Sequence, residues 1–219
     1  PKFAIMNTEL TVPWTAELKL AELLAARLCH DLASPLAAID NGIELLNEPG
    51  FRESAQALDL VSSSTSQAVA TLRFFRSALG ERGEITGRAS QVRELGTDWL
   101  RLRRIALEWG LESPSLPPEV GRLLLNLLAI AAETLPRGGI VTLGSTRTPA
   151  ALCYTAVASG PDAQLSPEMA RALEACSSEG LDPREVHAYF LRRLVQRSGG
   201  ALDVENRPEE VVLELVLRS

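Results

Sequence analysis

Two long segments in which apolar residues recur at alternating steps of three and four constrain the first third of this 219-residue chain. The first carries Leu18, Ala21, Leu24, Leu28, Leu32, Pro35, Ile39, Ile43 and Leu46; the second carries Leu58, Val61, Thr65, Ala68, Leu72, Phe75 and Leu79. Such spacing lines one face of an α-helix, and the second stripe holds the coiled-coil step over about three heptads. Asn47-Glu48-Pro49-Gly50 separates them with a helix breaker and a turn signal. Residues 1–80 therefore read as a helical hairpin. A lone hairpin has one partner for each stripe, so a second copy would complete a four-helix bundle. The alternative is packing against the chain's own C-terminal half.

Gly80 to Ala89, with Gly80, Gly83 and Gly87 among charges, reads as a linker, and the pattern changes beyond it. Helical periodicity covers 90–102, 118–135, 167–177 and 183–198. Strand-like runs of Val, Leu, Tyr and Thr cover 104–109, 139–147, 150–158, 200–206 and 210–217. Pro136-Arg137-Gly138-Gly139 and Gly199-Gly200 each stop a helix and open a strand. The strands pair as hairpins across Thr146–Ala150 and Arg207–Glu209. Residues 88–219 thus form an α+β sandwich with one sheet face covered by helices.

A net charge of −6 argues against nucleic-acid or anionic-membrane partners. No apolar run reaches the roughly 18 residues that span a bilayer. The N-terminus lacks the basic start and apolar segment of a signal peptide. Cys29, Cys153 and Cys176 form no CxxC pair, as expected for reduced thiols in a cytoplasmic protein. With two histidines and scattered cysteines, no zinc site and no bound cofactor is expected.

The chemistry concentrates in Leu28-Cys29-His30-Asp31-Leu32-Ala33-Ser34-Pro35-Leu36. His30 lies two residues from both Leu28 and Leu32, so at about 100° per residue it points away from the apolar stripe. It is either a phosphoacceptor or an idle surface histidine. A neutral imidazole can attack phosphorus. Arg27 and Ser34, at i−3 and i+4, share its face, where a cation and a hydroxyl could steady phosphoryl oxygens. Asp31 could orient Nδ1 or take its proton, or be a solvated helix acid. Ser34 is as readily surface filler as phosphate contact. Pro35 is expected to kink the helix beyond the site. Ala33, Ala37, Ala38 and Asn41 could admit a partner helix, or reflect helix propensity alone. His187, on a helix with Val186, Phe190 and Leu191, reads as a boundary residue. Trp14, Trp99 and Trp109 read as core and interface packing.

His30-Asp31-Leu32-Ala33-Ser34-Pro35-Leu36 resembles the H-box of two-component histidine kinases, with Ala33 where kinases often carry Arg. The second module resembles the kinase ATP-binding domain in its order of elements. Asn126-Leu127-Leu128-Ala129-Ile130-Ala131-Ala132-Glu133 looks like the N-box, yet Ile130 stands where a second Asn would approach Mg²⁺ and Glu133 where a basic residue is common. The glycine-rich phosphate box falls on Glu185-Val186-His187, without its glycines. The adenine-reading Asp is missing from Val157-Ala158-Ser159-Gly160. Glycine lets backbone N–H groups approach a phosphate; Glu185 and Glu133 would repel one, and Ile130 offers a hard cation no oxygen.

A kinase-like body without nucleotide chemistry is similar to the ChpT-type histidine phosphotransferases of alphaproteobacterial cell-cycle phosphorelays. The likeness runs through Asn41-Gly42-Ile43-Glu44-Leu45-Leu46 and from Asn126 to Pro136-Arg137-Gly138-Gly139. It implies a homodimer whose bundle carries one phosphorylatable His30 per subunit, followed by a degenerate ATPase-like α/β sandwich that binds no ATP. A phosphoryl group would come from the receiver domain of a hybrid histidine kinase and leave to the receivers of response regulators, with Mg²⁺ on the partner receiver. A non-catalytic scaffold for response regulators and an ATP-using kinase are the competing classes.

Overall fold

The computed structural model of the chain describes residues 13–48, 54–80 and 85–218, with side chains from residue 17 onward. The Pro49-Gly50 turn, Gly83 and the Trp14 side chain lie outside the described residues. Helix α1 spans Pro13–Asn47 and α2 spans Ala55–Leu79. Ser54 caps α2 by accepting a hydrogen bond from the Ala57 N–H at 3.4 Å.

The two helices pack along a seam of small side chains. Ala57, Ser64, Thr71 and Ala78 of α2 are buried at seven-residue intervals, and Leu23, Arg27 and Pro35 of α1 are buried as well. Gly42 permits the closest approach: a Cβ there would stand 2.6 Å from Val61 Cγ2. The apolar stripes are only partly enclosed: Pro35 of α1 and Phe75 of α2 are buried, while their ends and one edge stay open. Leu18 and Ile43 of the α1 stripe are exposed, as are Leu58 and Leu72 of α2, and Leu36 and Val69 join them. Ridges of small residues let the helix axes approach, which leaves the bulkier residues one position around the helix and outside.

The remaining elements are α3 (Ala89–Arg101), β1 (Ile105–Trp109), α4 (Pro118–Glu133), β2 (Gly139–Arg147), β3 (Ala151–Ser159), α5 (Pro167–Glu174), α6 (Val186–Arg197), β4 (Ala201–Arg207) and β5 (Glu210–Arg218). Every helix and strand expected from periodicity is present, and the α+β class holds. The sheet order is β1-β2-β3-β5-β4, with β1 parallel to β2 and the other pairs antiparallel. Val141, Leu143, Tyr154, Ala156, Ala158, Val211, Leu213 and Leu215 are buried on one face beneath the helices. Alternation along each strand turns their neighbours outward. Gly138, at φ +81°, closes the turn into β2; a Cβ there would stand 2.5 Å from the Arg104 carbonyl oxygen.

Helix α4 is buried almost all round because it lies between the sheet and the other helices. The end of α2 shares its core: Phe74, Phe75 and Ala78 belong to the same cluster as α4 and the strands. Phe74 stacks on Trp99 at 4.0 Å between ring centroids. Full burial of a Phe side chain contributes about 2–3 kcal/mol. The last carbonyls of α2 have no helical donors, and α4 supplies them. Asn126 Nδ2 donates to Ala78 O at 2.8 Å, while Arg122 donates from Nε to Ala78 O and from Nη2 to Leu79 O.

Candidate functional site

His30 projects from α1 with its side chain 72 % exposed, while the adjoining Asp31 side chain is 9 % exposed. The contrast follows from the stripe: residue 30 points outward, and one step further round lies the groove between the hairpin and the C-terminal module. His30 Nδ1 stands 3.3 Å from Asp31 Oδ1. The other oxygen, Oδ2, accepts from Arg27 Nε at 3.2 Å and from Arg103 Nη2 at 3.3 Å. Asp31 is therefore not a solvated helix acid. It is shared between the imidazole and two guanidinium groups.

Arg27 is buried, and its second partner is Glu133 at the end of α4, which accepts from Nη2. Burial opposes its positive charge, yet Glu133 and Asp31 outweigh that and hold its pKa above the ordinary guanidinium value. Arg27, expected to steady phosphoryl oxygens beside His30, has its guanidinium turned inward onto Asp31 and Glu133. Glu133 likewise serves an ion pair with Arg27. Burial lowers the pKa of Arg103, whose guanidinium lies 3.7 Å from the centroid of the buried Trp99 ring.

Ala33, Ser34, Ala37 and Asn41 are exposed beyond His30 on α1, and Ala38 is half-buried. Helix α1 runs on through Pro35 to Asn47. Proline has no N–H, so the Asp31 carbonyl lacks its helical donor.

His187 is not a boundary residue. It is 2 % exposed, stacked on Phe75 with 5.2 Å between ring centroids. Its Nε2 has no hydrogen-bond partner among the described residues. Burial, assisted by the positive charge of Arg27, pushes the imidazole down to about 3. Its neighbours in sequence Val186, Ala188 and Leu191 are buried with it. Trp99 packs the core as expected, and Trp109 is half-buried against it.

The positions matched to nucleotide boxes have other employment. Asn126 is fully buried and tied to backbone carbonyls, and Ile130 is a core residue. Glu185 precedes α6 and accepts from the Asp182 N–H through Oε2 at 3.0 Å. Arg103 and the pairing role of Glu133 escape sequence reasoning. Their partners lie 72 and 106 residues away, and only the run Arg101-Leu102-Arg103-Arg104 hints at a cationic cluster.

Residues 90–210 match the family model described as the histidine phosphotransferase C-terminal domain. The chain is 32 % identical over 204 residues to the protein phosphotransferase ChpT of Brucella abortus (strain 2308), covering 89 % of this chain and 94 % of that protein. A bacterial phosphotransferase solved at 1.7 Å superposes with a TM-score of 0.78 at 29 % identity, over 90 % of this chain and 96 % of that one.

Proposed function

The chain belongs to the histidine phosphotransferase family, and from that premise we propose that His30 is its phosphoacceptor in a multi-step phosphorelay. The observation that carries this reading is that His30, one of two histidines, presents a solvent-exposed imidazole whose Nδ1 faces a carboxylate. His187 is enclosed by core side chains and unreachable by a phosphoryl donor.

In this mechanism the receiver domain of a hybrid histidine kinase docks with its aspartyl phosphate in line with His30 Nε2. The P–N bond forms as the P–O bond to the receiver aspartate breaks, and the aspartate leaves as a carboxylate. Nδ1 keeps its proton and donates a hydrogen bond to Asp31 Oδ1, which leaves the Nε2 lone pair free for attack. The receiver of a response regulator takes the group by the reverse steps. Positioning and charge stabilisation supply the catalysis, and Mg²⁺ belongs to the receivers. Ala33, Ser34, Ala37, Ala38 and Asn41 form the docking strip below the imidazole.

The protein works as a cytoplasmic homodimer, with two hairpins completing a four-helix bundle. Support comes from Leu58, Val69 and Leu72 on the outer face of α2 and Leu18, Leu36 and Ile43 on that of α1, large apolar residues with no cover in the single chain. No described helix is long and apolar enough to cross a membrane. The C-terminal module is a degenerate ATPase-like domain that takes no ATP. The lining of its N-box position supports this, since Asn126 is tied to α2 and Ile130 offers no oxygen.

The test is acid-labile labelling of the purified protein with a phosphorylated receiver domain and, separately, with Mg-ATP, beside His30→Ala. Label from the receiver alone, lost in the variant, is the expected result. Label from ATP, or a variant that still relays phosphoryl groups between receivers, overturns the reading.

A further inference from the structure

The acid next to His30 owes its orientation to residues outside its own helix. Consecutive residues on a helix point about 100° apart, so an unrestrained Asp31 would swing into the groove and away from the imidazole. Here Oδ2 is taken by Arg27 Nε and Arg103 Nη2, and the plane of the carboxylate then leaves Oδ1 toward His30 Nδ1. Each guanidinium is itself anchored. Arg103 lies over Trp99, which stacks on Phe74 of α2, and Arg27 is held by Glu133.

We infer that Arg103 and Glu133, both supplied by the C-terminal module, are positioning residues that set the tautomer of the phosphoacceptor His30 through Asp31. The inference rests on the proposed role of His30. Arg103 acts directly on the Asp31 carboxylate, and Glu133 acts one step further back, by fixing Arg27. Neither touches the reacting atoms. A module without nucleotide chemistry thereby still conditions the nucleophile. With both arginines on Oδ2, Oδ1 is left to accept from Nδ1–H, and Nε2 is the nitrogen whose lone pair is available to attack.

The experiment is long-range ¹H–¹⁵N NMR of the untagged 219-residue chain, whose two histidines give a simple imidazole spectrum, combined with the rate of phosphoryl transfer from a phosphorylated receiver. The proteins compared are wild type, Asp31→Asn, Arg103→Met, Arg103→Lys and Glu133→Gln. Methionine keeps an apolar stem on Trp99 and removes the charge. Arg103→Met is expected to shift His30 from the Nδ1–H toward the Nε2–H tautomer and to slow transfer by roughly tenfold, in the range lost with an orienting partner. Arg103→Lys should recover part of both, and Glu133→Gln should move both in the same direction by less. An unchanged tautomer in Arg103→Met overturns the inference, whether or not transfer slows, since slower transfer alone reports docking or folding. Should Arg103→Met not fold, Glu133→Gln decides on the same criterion. A wild-type protein that accepts no phosphoryl group, while its tautomer still responds to Arg103→Met, separates failure of the phosphoacceptor reading from failure of the positioning one.

Discussion

Arg27 and Glu133, 106 residues apart in sequence, are joined by a hydrogen-bonded ion pair at the contact between α1 and α4. The Arg27 side chain is 8 % exposed and that of Glu133 25 % exposed, so the pair sits at the edge of the packed interface. Its consequence is that the helix carrying His30 is tied by charge to a module that α2 joins through the Phe74–Trp99 stack.

Breaking that pair from one side leaves a buried guanidinium with only Asp31 for a partner. Glu133→Gln should destabilise the chain by about 2 kcal/mol, below the 3–5 kcal/mol of a fully buried pair because Glu133 is partly solvated. Urea unfolding of Arg27→Met, Glu133→Gln and the double variant checks this. A double variant less destabilised than the sum of the singles is the expected outcome, and strict additivity would remove the coupling.

His187 makes stability depend on pH. Its imidazole titrates near 6.5 when unfolded and at about 3 when folded, so in between the unfolded chain binds more protons. Stability is then complete above about pH 6.5 and falls as the pH drops, by at most about 1.4 kcal/mol per unit from this residue. The stability of wild type relative to His187→Phe, measured by denaturant unfolding at pH 7.5, 6.5 and 5.5, should fall toward low pH. A difference independent of pH would contradict a buried neutral imidazole.

Gly42 sets the spacing of the hairpin. Gly42→Val places branched carbons against Val61, where even a Cβ comes within 2.6 Å. Overpacking of this kind costs about 1–3 kcal/mol, and a loss in thermal midpoint of several degrees should be read by circular dichroism. Gly42→Ala should lie between the two, with Val61→Ala restoring much of the loss.

The exposed row on α2 tests the dimer. Leu72→Glu puts a charge on a residue that is 49 % exposed in the single chain. It should leave monomer folding intact and shift sedimentation equilibrium from dimer to monomer. A dimer of unchanged affinity would move the interface elsewhere.

Local information settled much of this molecule. Helix and strand limits depend on periodicity and on Pro and Gly, which act over a few residues, and from α3 to β5 they agree to within three residues. The outward aim of His30 also follows from position alone, since two steps from the stripe on a helix is the far side. The inward face of the hairpin was not legible in the same way. Apolar size marks the larger residues, whereas close packing of two helices selected Ala57, Ser64, Thr71 and Gly42.

The groups that surround His30 were decided by the fold. Sequence placed Arg27, Asp31 and His30 on neighbouring turns, but the heads of long side chains go where partners are. Those partners, Arg103 in the turn after α3 and Glu133 at the end of α4, reach α1 only in the folded chain. His187 carries no mark of burial in its own composition; Phe75 and the surrounding core close over it only in the assembled structure. Periodicity is a property of a few successive residues, while ion pairing and desolvation depend on which surfaces meet, and that is set by packing of the whole chain.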